Sequence, residues 1–131
     1  MTETFKRWHD FVAAPDPAIL SVILAEDIRF HSPFLWKPKE GRATAVAILM
    51  TVTGVFRNFR YVREIIDGSN WCLEFEATVD GLSLRGVDLI RLNDDGRIVD
   101  FEVMIRPANA LQAIGAEMGR RLAADQSSTE R

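Results

Sequence analysis

The sequence is poor in the residues that most often announce chemistry. Cys72 is its only cysteine and His9 and His31 its only histidines. A single cysteine excludes an internal disulfide and fits a reducing compartment. Two isolated histidines with no clustered cysteines or acids exclude a zinc-type ligand set, so no metal and no cofactor is expected. A phosphate-binding loop, a dinucleotide fingerprint and a paired-cysteine motif are all missing. Cys72 lies near Glu74 and Glu76, which oppose thiolate formation and argue against a cysteine nucleophile. No run approaches about 18 uninterrupted apolar residues, so no membrane span is expected, and the charged N-terminal stretch does not read as a leader. A cytoplasmic location is the remaining expectation. The formal net charge of -3 and the lack of basic clusters interleaved with aromatics exclude nucleic acid as the expected partner.

What is present is a chain of 131 residues, 47% of them apolar, enough for one domain with a real core. We place that domain at 1–124 and expect 125–131 to be a frayed polar tail. The firmest local signal runs from Leu82 to Arg106. Two strand-like runs, LSLRGVDLIRL and RIVDFEVMIR, flank the turn Asn93-Asp94-Asp95-Gly96. With Gly96 as a left-handed bulge residue, Asn93 faces Arg97, Leu92 faces Ile98, Ile90 faces Asp100 and Asp88 faces Glu102. A second turn at Asp80-Gly81 sets Val79 opposite Leu82, Phe75 opposite Gly86 and Leu73 opposite Asp88. One sheet face then carries Trp71, Leu73, Phe75, Ile90 and Met104, with Asp88 and Glu102 set among them. Acids on an apolar face are held neutral by desolvation and by each other, which is the pattern of a cavity acid; a sheet-edge or arginine-paired acid is the plainer alternative. The opposite face would carry Val87, Leu89, Phe101 and Val103, a patch that predicts a homodimer through the sheet.

Earlier in the chain, Thr4 to Ala13 reads as a helix with Phe5, Trp8 and Val12 on one stripe, and a second helix starts at Asp16-Pro17. A short strand, Asp27 to Ser32, follows; its parity sets His31 opposite Ser32. As an imidazole His31 is a candidate acid or base, with a hydrogen-bonding surface role as the alternative. The loop from Phe34 to Gly41 contains Trp36 and is a candidate cavity mouth. Gly41 to Phe56 reads as a third helix and Asn58 to Ile66 as a strand, where the turn Asp67 to Asn70 leaves open whether Tyr61 or Val62 shares the face of Asp88. Pro107 opens a last helix from Ala108 to about Ala123. The order predicts an α+β fold with helices gathered on one sheet face.

The segments ILSVILAEDIRFHSP and RGVDLIRLNDDGRIVDFEVMIRP resemble the nuclear transport factor 2-like superfamily, and within it the SnoaL-like and ketosteroid-isomerase-like branch. The resemblance implies a cone-shaped barrel, with three N-terminal helices packed over a curved, mostly antiparallel sheet and a C-terminal helix behind. It implies a dimer, and a small apolar, polyketide-like or steroid-like molecule as the partner. In the isomerase-like branch a helix tyrosine and a strand acid form an oxyanion hole and a carboxylate before a proline is the base; those positions fall on Trp8, Asp88 and Ser32. The expected catalytic set is Asp88 with Glu102 and His31. The expected substrate-binding set is Trp8, Ser32, Trp36, Tyr61, Trp71, Leu73, Phe75, Ile90 and Met104. The function so implied is a cofactor-independent isomerase, cyclase or hydrolase, or else a non-catalytic binding dimer with the same cavity.

Overall fold

The structure, a computed structural model, describes Thr2–Thr129. Helix α1 (Thr2–Ala13) buries Trp8 and Phe11 on one side, as its stripe requires. Asp16 then caps α2 (Pro17–Ile23): its side chain accepts from the Ala18 N–H at 2.9 Å, and Pro17 occupies the first turn. Strand β1 (Leu24–His31) starts at once, three residues before the expected Asp27. Within the expected loop lies a two-residue strand, β2 (Lys39–Glu40), followed by α3 (Arg42–Val55). Strands β3 (Arg57–Asp67), β4 (Asn70–Val79), β5 (Leu82–Leu92) and β6 (Ile98–Arg106) form a meander. The final helix, α4 (Ala108–Thr129), runs past the expected Ala123; Glu130 and Arg131 lie outside the described residues.

The six strands form one sheet in the order β2-β1-β6-β5-β4-β3, antiparallel except for the parallel β1–β6 pair. Four helices pack on this curved sheet in the expected α+β arrangement, and the sheet stays open, with β2 and β3 as its edges. Residues of α1, α2 and α3 close one end of the inner face over Leu73, Ile90 and Ile98, while α4 covers the other over Phe75, Ala77 and Leu84. Among the described residues no helix is long and apolar enough to cross a membrane.

The Asp80-Gly81 turn sets the β4–β5 register as expected, including Phe75 opposite Gly86 and Leu73 opposite Asp88. The expected ion pair between Glu76 and Arg85 forms on the outer face. In the second hairpin the turn is also as expected: the Asn93 N–H donates to the Arg97 carbonyl at 2.8 Å, Gly96 is left-handed (φ 78) and Leu92 faces Ile98. Beyond it the register differs. An extra residue, Val99, bulges between Ile98 and Asp100, so Arg91 faces Asp100, Ile90 faces Phe101 and Asp88 faces Val103 rather than Glu102. Because side chains alternate with period two, one inserted residue exchanges the faces of the rest of β6. Phe101 turns inward and is fully buried, Val103 packs against the core, and Met104 moves outside, where it is 49% exposed. The expected outer patch is thereby split: Val87 and Leu89 stay outside, without Phe101 and Val103.

Candidate active site

Asp88 is the one buried charged side chain among the described residues, 6% exposed. Strand β5 places it on the inner face between Gly86 and Ile90, with Leu73 and Val103 opposite it on the flanking strands. Apolar surroundings disfavour the charged form, and this desolvation raises the carboxyl from 3.8 to about 7, against a smaller downward pull from the Tyr61 hydrogen bond.

Tyr61, on β3, donates its hydroxyl to Asp88 Oδ2 at 2.6 Å. A bulge at Val62 lets Tyr61 pair with Phe75 while Arg63 pairs with Glu74, which settles the open choice in favour of Tyr61. Its ring is held edge-on by Phe59, with centroids 5.2 Å apart. Trp8 Nε1 donates to the Tyr61 oxygen at 3.0 Å. An indole N–H can only donate, so the Tyr61 oxygen accepts from Trp8 and its own proton is free for Asp88. The chain Trp8 to Tyr61 to Asp88 therefore has one direction. Burial and the adjacent Asp88 carboxyl hold the Tyr61 phenol well above 10, so it remains a donor. Among the described residues no buried side-chain oxygen lacks a partner, and Asp88 Oδ1 makes no hydrogen bond. Oδ1 is consequently the oxygen that opens on the pocket.

That pocket has a volume of about 350 Å³ and lies between the inner sheet face, α3, α4 and the loop after β1. The size suits a small apolar ligand. Of the residues expected to bind substrate, Trp8, Ser32, Tyr61 and Phe75 line it. Trp71, Leu73 and Ile90 are buried in the neighbouring core instead, Trp36 is 98% exposed on the loop, and Met104 faces away on the outer side. Ser32 Oγ accepts from the N–H groups of Phe34 and Leu35 at 3.4 and 3.3 Å, which leaves its own proton available to a ligand.

The expected trio of Asp88, Glu102 and His31 is not brought together. Glu102 stands opposite Leu89 and beside His31 on the outer face, because of the Val99 bulge. His31 Nε2 lies 2.9 Å from Asp100 Oδ1, and Arg29 and Arg91 approach the same carboxylate. These groups are separated from Asp88 by the thickness of the sheet. Ile48 and Val52 of α3 and Ile114 and Met118 of α4 also line the pocket. Their helical stripes were readable, but whether a stripe meets the sheet or leaves a gap depends on how far the helices stand off it. Among the described residues no group of three potential metal ligands occurs.

The SnoaL-like domain model matches residues 5–101. This chain belongs to the SnoaL-like family. Its structure is similar to that of a steroid delta-isomerase from Pseudomonas aeruginosa, with 46% identity, a TM-score of 0.92, and 96% of this chain and 93% of that one covered. It is also similar to an uncharacterised protein with a cystatin-like fold from Silicibacter pomeroyi DSS-3, at 39% identity and a TM-score of 0.90, covering 97% and 90%. An NTF2-like protein of unknown function from Mesorhizobium loti matches at 25% identity and a TM-score of 0.72, covering 81% and 90%. No curated protein matches. The SnoaL-like domain is thus set in the nuclear transport factor 2-like superfamily, in its ketosteroid-isomerase-like branch.

Proposed function

We propose that this SnoaL-like protein is a cofactor-independent isomerase that moves a proton within a small apolar carbonyl compound of steroid or polyketide type. The observation that carries this reading is the Asp88 carboxyl, poised at about 7 with one oxygen fixed by Tyr61 and the other open to the pocket. A carboxyl near the working pH can act as base in one step and acid in the next. As carboxylate, Asp88 takes a proton from the carbon beside the carbonyl, leaving an enolate; as the acid so formed, it returns that proton further along the conjugated system, and the double bond shifts. Ser32 sits two strand spacings away, about 10 Å between backbones, with its side chain on the same face. That gap accommodates a carbonyl whose oxygen accepts from the Ser32 hydroxyl while the adjacent carbon meets Asp88.

The identity to a steroid delta-isomerase supports the reaction class. A Δ5-3-ketosteroid is the direct probe: formation of the conjugated enone by the wild type and its loss in Asp88→Asn support the proposal, and equal turnover by both opposes it. Ser32 in the position where the isomerase-like branch carries its base supports a second reading, a binding protein without turnover. In that case the ketosteroid is bound and recovered unchanged. The proposal retains a homodimer through the outer sheet face, where Met104 and Ile65 are exposed beside Val87 and Leu89; sedimentation as a monomer at micromolar concentration opposes it.

A further inference from the structure

Lys39 is an exposed charged residue on the edge strand β2, at the rim of the pocket. In the antiparallel β1–β2 pair it stands directly opposite Phe30, and residues so opposed share a face. Phe30 is buried in the core. The next residue, Glu40, is opposite Arg29 and points the other way. The register of this short strand is held by the Gly41 N–H, which donates to the Ile28 carbonyl at 2.9 Å. Lys39 accordingly lines the apolar pocket, whereas Lys37, two residues earlier, does not. Among the described residues no carboxylate pairs with Lys39. An ammonium at an apolar rim with no counter-ion lays its stem along the wall and presents its head to whatever enters.

We propose that Lys39 receives an anionic group of carboxylate type on the substrate, so that the pocket selects amphipathic oxo-acids over wholly apolar ketones. The proposal rests on the reading of the pocket as the active site. Three strand spacings separate Lys39 from Asp88, about 14 Å across the sheet. Ser32 falls between them on the same face. The substrate then carries its anion at the open end, its carbonyl near Ser32 and its reacting carbon at Asp88. Like-charge repulsion at Asp88 orients it, because an anion is disfavoured at the closed end.

Displacement of bound phenylnaphthylamine, a neutral apolar fluorescent probe, tests this with decanoate and decanol, which share a chain and differ in charge. The wild type is expected to release the probe at up to about tenfold lower concentration of decanoate than of decanol, the range of a partly exposed charged hydrogen bond. Lys39→Met erases the difference between decanoate and decanol, Lys39→Arg restores it, and Lys37→Met, outside the pocket lining, keeps it. Equal displacement by the two compounds in the wild type overturns the inference, as does a decanoate preference that survives in Lys39→Met, and either result leaves the pocket reading intact. Failure of phenylnaphthylamine to bind at all overturns the pocket reading and this inference with it.

Discussion

Tyr61 donates to Asp88 Oδ2 at 2.6 Å because Trp8, a donor only, occupies the other side of the Tyr61 oxygen. The tyrosine thus favours the carboxylate form of Asp88, against the desolvation that opposes it. Tyr61→Phe removes that pull, so the Asp88 pKa rises above about 7. Where Asp88 acts first as base, the rising limb of the kcat/KM profile moves to higher pH. The loss in rate is largest below pH 7 and shrinks above it, which a merely structural defect would not reproduce.

Asp88 also carries a stability cost with a definite sign. Its folded pKa is raised from 3.8 to about 7, so below about pH 4 both folded and unfolded chains hold the proton and no cost appears. As pH rises through that window the unfolded chain releases its proton first, and stability falls; above about 7 the full cost is present, with a ceiling of about 4 kcal/mol. Asp88→Asn is neutral throughout. It is expected to be more stable than the wild type at pH 8 and close to it at pH 4 in denaturant melts, while losing turnover by about 10²–10⁴.

Gly86 has no room for a side chain. A Cβ there would collide with Phe75 Cζ and lie 2.6 Å from the Met104 carbonyl oxygen, which belongs to the neighbouring backbone and cannot swing aside. Gly86→Ala is expected to cost about 1–3 kcal/mol in chemical denaturation and to displace Phe75, a pocket wall.

Glu102 and His31 provide a negative test. Both lie on the outer face, so Glu102→Gln and His31→Ala are expected to keep kcat/KM within about twofold and to change stability by less than about 1 kcal/mol, the range for partly exposed polar pairs. A large loss of activity in either would contradict the register of β6.

Much of this was legible in the residues. Turn chemistry at Asp80-Gly81 fixed β4 on β5, and with it Asp88 on the inner face. The Asn93 to Gly96 turn was equally readable, but counting onward from it assumed an uninterrupted ladder. Alternation within β6 carried a contrary signal, since Phe101, Val103 and Ile105 alternate with Asp100 and Glu102, and only a bulge reconciles that pattern with the turn. Tyr61 was among the expected substrate-binding residues, but the choice between it and Val62 for the face of Asp88 waited on a second bulge, at Val62. Strand β2 has two residues and no alternation to read, so the inward position of Lys39 was invisible before its partner Phe30 was known.

The central claim is that Asp88 is a pocket acid poised near neutrality. A ¹³C NMR titration of its side-chain carboxyl in the wild-type protein tests it most directly. An apparent pKa near 7, rising in Tyr61→Phe, is expected; a midpoint near 4 that is indifferent to Tyr61 would contradict a poised pocket acid.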